Sequence, residues 1–147
     1  MQKALAKFGE VGEGTLDGSY TFMNPTGIGF DVWDRNNITF HWTNGDGDGV
    51  IVLCSMGTDA VPFRYADIPE YNVNYIANSN FNLGDEINSF RVIGLFTDGT
   101  TSMKVSGLNK FTDYIFHLIS FKTINNIKVY NNTRTYGQNF ATRKTSL

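Results

Sequence analysis

The segment that decides the fold class is Asn37-Ile38-Thr39-Phe40-His41-Trp42-Thr43. Its apolar residues Ile38, Phe40 and Trp42 alternate with polar ones. Alternation with a period of two is typical of a β-strand that has one buried and one solvated face. We therefore predict a strand here that places Trp42 in the core and His41 on the solvated face.

The strand that follows shows no alternation. The residues Val50-Ile51-Val52-Leu53-Cys54 are all apolar, which is typical of a strand that is covered on both faces. Residues Asn44–Gly49, which are rich in glycine and aspartate, lie between the two segments. They predict a hairpin loop that connects the first strand to the second.

A third segment, Tyr114–Phe121, is also apolar on both faces. With Tyr114 and every second residue after it in the core, the opposite face is still largely apolar and needs a cover. The residues of that face are Ile115, His117, Ile119 and Phe121. Two covers remain open: the chain's own segment 55–89, which we expect to pack as a flap, and a protein partner that binds these four residues.

The strongest turn signal is Asp98-Gly99, between the predicted strands Arg91–Thr97 and Thr100–Val105. An Asp-Gly pair between two such strands predicts a two-residue type I′ hairpin turn.

A last strand is predicted at Thr135–Thr145, after a polar loop or irregular hairpin at Thr123–Arg134. Short strands with turn signals between them and no helical crossovers predict an all-β antiparallel sandwich and exclude parallel α/β folds.

Length and composition indicate one domain. The chain has 147 residues, of which 41% are hydrophobic and 14% aromatic, and this is enough for one buried core. Its single cysteine, Cys54, cannot form an internal disulfide. The net charge of −2 argues against nucleic acid and membrane surfaces as partners.

The start of the chain predicts an extended arm. Residues 1–30 are rich in glycine and lack a sustained period, and we expect the sandwich at 31–147. The first residues have no apolar run long enough for a secretory signal or a membrane span, so we expect the protein to begin in the cytoplasm. The aromatic residues in or next to the arm are candidate partner anchors or, equally, first-strand core. They are Phe8, Tyr20, Phe22, Phe30 and Trp33.

Three residues carry a family resemblance. Trp42 closes the early alternating strand, and Leu108 precedes Tyr114 by the spacing of a tyrosine corner. In these features the chain resembles a fibronectin type III domain, an immunoglobulin-like β-sandwich. The resemblance implies structural roles for the three residues, with the Tyr114 hydroxyl bound to a nearby backbone group. Function does not follow from it.

A narrower set of matches covers about residues 36–145. The matching residues are Trp42 to Gly47, Pro62, Tyr75, Phe81, Gly84 and Tyr114. Their order resembles that of the fibronectin type III-like domains of bacterial and phage proteins. The arginine that often follows the strand Val50–Cys54 in those domains is missing, and the arm has no counterpart.

Three patterns that can carry chemistry have stronger structural interpretations. The loop Asn44–Gly49 matches the first half of a calcium loop, but Ser55 stands where the bidentate acid is required. His41 and His117 have no cysteine or glutamate cluster at ligand spacing. Cys54 lies in an apolar run, where a thiol is normally inert. We therefore expect no catalytic residue, no cofactor, no metal and no enzymatic activity.

The function predicted from these observations is a non-enzymatic structural or binding module. Small proteins of this kind resemble accessory proteins of phage virions, such as capsid decoration or head-fibre-associated proteins. That resemblance implies assembly in the host cytoplasm, many copies on a particle, and the major capsid protein or another virion protein as partner. The alternative is a carbohydrate-binding or adhesion module of a bacterial surface, in which Tyr65, Tyr71 and Tyr75 stack on sugar rings.

Overall fold

The computed structural model describes residues 22–57, 69–132 and 139–147. Within these ranges the chain forms nine β-strands and no helix, so no helix in them could cross a membrane. The strands are β1 (Thr26–Trp33), β2 (Ile38–Thr43), β3 (Gly49–Met56), β4 (Glu86–Ile87), β5 (Phe90–Phe96), β6 (Ser102–Val105), β7 (Asp113–Ile124), β8 (Ile127–Tyr130) and β9 (Phe140–Lys144).

The nine described strands form two antiparallel sheets that pack face to face. One sheet has the order β1-β2-β6, and the other has the order β4-β5-β3-β7-β8, with β9 also paired to β7. The strand pairs are all antiparallel. The fold is therefore an all-β, fibronectin type III-like sandwich, and the predicted fold class is confirmed.

Two connections that the sequence predicts to be hairpins instead cross between the sheets. The loop after β2 leads to β3, and the turn at Asp98-Gly99 leads from β5 to β6, but in each case the two strands lie in different sheets. Gly99 has a φ of 88° and the Asp98 carboxylate accepts hydrogen bonds from Thr100, so the chain bends at this pair. Asp98 is not among the residues with a positive φ, so the predicted type I′ turn, which needs a positive φ at both residues, does not form. The pairing was wrong because a turn motif fixes only the local reversal of the chain.

The predicted boundary of the arm was also wrong, because β1 begins at Thr26. Its register against β2 shifts twice, once between Thr26 and Gly29 and once between Phe30 and Val32. Each extra residue interrupts the period-two pattern from which a strand is recognised in a sequence. Residues 1–21 of the predicted arm lie outside the described residues.

The long strand β7 lies inside the larger sheet, with β3 on one side and β8 and β9 on the other. It pairs with β3 along one edge, while its other edge pairs first with β9 and then with β8. The β7–β8 hairpin turns at Asn125 and Asn126, whose φ angles are 53° and 66°, as a type I′ turn requires. The predicted loop after Thr123 therefore contains a regular hairpin, and the last strand is confirmed at β9.

The larger sheet has a hydrophobic core on each face. The inner core lies between the sheets and contains Ile38, Phe40, Trp42, Val50, Val52, Cys54, Phe81, Ile93, Val105, Leu108, Tyr114, Phe116 and Leu118. The outer core lies on the opposite face and contains Ile51, Leu53, Ile87, Phe90, Val92, Ile115, Ile119, Phe121, Tyr130 and Phe140. The sequence-based prediction that both faces of β3 and β7 are buried is confirmed.

Candidate binding surfaces

The outer face of the larger sheet is covered by the chain itself. Residues 69–89, called the strap from here on, run across this face from β8 towards β5. At the β8 end, Asn72 donates its backbone N–H to the Lys128 carbonyl at 2.8 Å, and the Tyr130 hydroxyl donates to the Val73 carbonyl at 2.6 Å. Tyr75 and Ala77 of the strap then pack on the outer core. The strap thus covers part of the outer face of the larger sheet.

The four outer-face residues predicted to bind a partner are instead buried. Ile115, His117, Ile119 and Phe121 are each at most 3% exposed. The His117 ring packs against Phe90 and Phe140, and the Lys128 ammonium lies 4.4 Å from the centre of the Phe121 ring. The partner-binding role predicted for these residues is wrong, because burial within the chain leaves them no surface to offer.

The predicted aromatic anchors fall into three groups. Phe8 and Tyr20 lie outside the described residues. Phe22 is buried but precedes β1. The centres of the Phe30 and Phe116 rings lie 5.5 Å apart, so Phe30 belongs to the first-strand core, the alternative that the sequence left open. Trp33 is 38% exposed.

The exposed end of β1 forms a candidate docking edge. Asp31, Val32 and Trp33 are all exposed, with Val32 at 64%. The Arg143 guanidinium lies 4.1 Å from the centre of the Trp33 ring, which holds the indole in place. In the described part of the chain β1 has β2 as its only strand partner. Within residues 22–57, 69–132 and 139–147, the other edge of β1 pairs with no strand, and it lies beside an aliphatic and an aromatic side chain.

The tyrosine corner is present. The Tyr114 hydroxyl accepts a hydrogen bond from the Asn109 backbone N–H at 2.8 Å, and Leu108 packs in the inner core. Burial raises the pKa of the Tyr114 phenol, an effect that the Asn109 hydrogen bond partly offsets. The three structural residues predicted from the resemblance, Trp42 included, all lie in the inner core.

The oxygen atoms of the loop between β2 and β3 accept hydrogen bonds from the protein. The Asn44 side-chain oxygen accepts from the Trp42 indole at 2.7 Å. The Asp46 carboxylate accepts from the Met23 N–H, and the Asp48 carboxylate accepts from the Thr123 N–H. The loop thus fastens neighbouring backbone segments, and in the described residues no group of three or more His, Cys, Asp or Glu could hold a metal ion.

The contact between His41 and Asp31 was not predicted from the sequence. The His41 Nδ1 atom lies 2.9 Å from both carboxylate oxygens of Asp31, on the solvated face of the smaller sheet. Asp31 is the extra residue at the second register shift of β1, and no period-based pattern places it opposite His41. The imidazole leans over Gly29, where an added Cβ would lie 2.7 Å from the ring. The ring therefore leans towards β1 and away from Ser102, its cross-strand neighbour on β6.

The reactive and sugar-stacking candidates are also placed. Cys54 is fully buried, and this burial raises the pKa of its thiol, which disfavours the thiolate needed for nucleophilic attack. Of the three tyrosines, Tyr65 lies outside the described residues. The Tyr75 ring packs against Tyr130, and its hydroxyl accepts the Glu70 N–H. Tyr71 is the one that is exposed.

Comparison with known protein families finds no family that matches the chain, and comparison with curated proteins finds no match. Among solved structures, a β-sandwich protein from a computer-based redesign study matches with a TM-score of 0.50 and 13% identity, covering 84% of this chain and 90% of that one. The FN5 domain of Drosophila Lar matches with a TM-score of 0.42 and 13% identity, covering 83% of this chain and 94% of that one. At this identity the first match supports the β-sandwich fold alone.

Proposed function

We propose that the protein is a non-enzymatic binding module that serves as an accessory protein of a phage virion and docks on a repeated capsid surface. The major capsid protein or another virion protein is the partner, and many copies attach to one particle. Because a lattice offers many identical sites, weak contacts at each of them suffice. The virion, after assembly in the host cytoplasm, is the proposed location.

The observation that supports this proposal is the exposed end of β1. Val32 and Trp33 lie at a strand edge that no described strand pairs with, and an edge of this kind accepts another strand or an apolar patch. A fibronectin type III-like sandwich supplies a rigid frame that presents such an edge. The resemblance of residues 36–145 to bacterial and phage domains adds the expectation that the partner belongs to a virion.

The first experiment is mass spectrometry of purified virions from the source phage. We expect this chain at high copy number relative to the portal protein. Its absence from washed, intact virions would contradict the virion role. Glycan-array binding by the isolated protein, lost on Tyr71→Ala, would favour the adhesion alternative instead.

The second experiment tests the docking edge on particles assembled without this protein. Val32→Lys places a charge at the edge, and we expect it to lower particle occupancy at least tenfold. Thr43→Lys is the matched control, because Thr43 is also exposed but lies on β2, which pairs with a strand on each side and has no free edge. Equal occupancy for both variants would show that docking uses another surface.

A further inference from the structure

One open side of the sandwich lies between β5 and β6. These strands belong to different sheets. The inner edge of β5 pairs with β3, and its outer edge pairs with β4 only at Phe90 and Arg91. One edge of β6 pairs with β2. In the described residues no strand pairs with the outer edge of β5 over residues 93–96, or with the outer edge of β6 over residues 102–104. Two strand edges therefore face this side with backbone groups that are available for hydrogen bonding.

The lower half of this side is already filled by an extended piece of the strap. Asn78 donates its N–H to the Val92 carbonyl on β5 at 3.1 Å. Two residues further on, Asn80 forms a parallel bridge with Ser106, the residue that follows β6. Ser106 donates its N–H to the Ser79 carbonyl at 2.8 Å. One extended segment thus hydrogen-bonds to both sheets, and it shows which kind of chain fits between them.

The upper half is a shallow, open groove of about 400 Å³ that begins beside the first residues of this segment. Ala77 and Asn78 line its lower end, and Phe96 and Met103 lie along it. Phe96 and Met103 are partly buried and pack against the inner core. At Gly94 an added Cβ would lie 2.7 Å from the Phe96 ring and 3.1 Å from the Met103 sulfur. The Phe96 ring and the Met103 sulfur therefore occupy the space that a side chain at position 94 would need, and both border the groove.

We propose that this groove binds an extended peptide segment of a partner protein by strand addition. The segment lies in line with residues 78–81. It forms backbone hydrogen bonds to β5 and β6, as Asn78 and Ser79 do with Val92 and Ser106. Residues 93–96 of β5 span roughly 13 Å, so a segment of at least four residues is needed to pair with this edge. Alternate side chains of the segment face Phe96 and Met103, so small or apolar residues are favoured there. The proposal does not depend on the virion role.

The test uses the full chain and a random library of displayed nine-residue peptides. The tightest peptide selected is added to isotope-labelled protein, and amide hydrogen exchange is followed by NMR. We expect slower exchange for amides within residues 93–96 or 102–104. We also expect N-methylation of alternate peptide amides to weaken binding at least a hundredfold, while methylation of the intervening amides changes it less than threefold. A response confined to amides elsewhere, or equal sensitivity to both methylation patterns, would overturn the proposal.

Two protein variants separate groove binding from general effects of mutation. Met103→Ala removes part of the groove wall, and we expect at least tenfold weaker peptide binding. Met56→Ala is the matched control, because Met56 is exposed at the end of β3 and lies outside the groove; we expect a change of less than twofold. Sedimentation of the chain alone is the last check, since a dimer that protects the same amides would mean that a second copy is the occupant and would overturn the proposal.

Discussion

The outer faces of the two sheets differ in composition and in burial. On β2, the outward residues Thr39, His41 and Thr43 are polar and face solvent wholly or in part. On β3 and β7, the outward residues Leu53 and Ile119 are fully buried. The smaller sheet is thus an ordinary half-buried layer, whereas the larger sheet is the middle layer of three.

This difference shows what a small sandwich needs in order to bury two faces of one sheet. An inner face can pack on the partner sheet, but an outer apolar face requires another layer. The strap provides part of that layer with little regular structure of its own, since β4 contributes two residues. Its backbone groups bond instead to β5, β8 and the residue after β6, which satisfies them without a further sheet.

The largest expected effect is the truncation of a buried side chain on the outer face of the larger sheet. Leu53→Ala leaves a cavity in the outer core, and we expect it to lower the free energy of unfolding by about 2–5 kcal/mol. Thr43→Ala, on the outer face of the smaller sheet, should change it by less than about 0.5 kcal/mol. Urea denaturation followed by tryptophan fluorescence measures both. A loss below about 1 kcal/mol for Leu53→Ala would show that the outer layer is not a packed core.

The sequence predicted this difference between the faces because the alternation of apolar residues reports how many faces of a strand are buried. It did not reveal what covers the second face, because a strap and a partner protein both require apolar residues on the outer faces of β3 and β7. It also misassigned the turns at Asn44–Gly49 and Asp98-Gly99, because sheet membership depends on long-range pairing. The groove beside Met103 was unpredictable for the same reason, whereas the tyrosine corner depends on a fixed local spacing and was found.

The next expected effect concerns the attachment of the strap. Tyr130→Phe removes the hydroxyl that bonds to the Val73 carbonyl, and we expect a loss of about 0.5–1.5 kcal/mol. The amide of Asn72, which bonds to Lys128 in the same region, should exchange faster. Tyr71→Phe is the control, because Tyr71 is exposed on the strap. Equal and negligible effects of the two substitutions would mean that other contacts hold the strap.

The same two cores predict a loss of stability at alkaline pH. Burial, and secondarily the nearby Tyr75, raises the pKa of Tyr130, and burial also raises the pKa of Tyr114. In the unfolded chain a tyrosine has a pKa of about 10, so above that pH the unfolded state binds fewer protons than the folded one. The stabilising contribution is complete below about pH 10 and declines as the pH rises towards the folded-state values. Urea midpoints from about pH 9 to 11 should fall, and Tyr130→Phe should flatten the fall; a flat wild-type profile would contradict this.

The smallest expected effect is on the smaller sheet, at the contact between His41 and Asp31. Both side chains are largely exposed, so a double-mutant cycle of His41→Ala and Asp31→Ala should give a coupling of about 0.2–1 kcal/mol. Added salt should reduce the ionic part of this coupling, because solvent-exposed charges are screened. A coupling above about 2 kcal/mol that persists in salt would exceed the range for exposed pairs. The contacts on the solvated face of the smaller sheet would then stabilise the fold by an amount comparable to the outer core of the larger sheet. The two outer faces would differ in polarity but not in their contribution to stability.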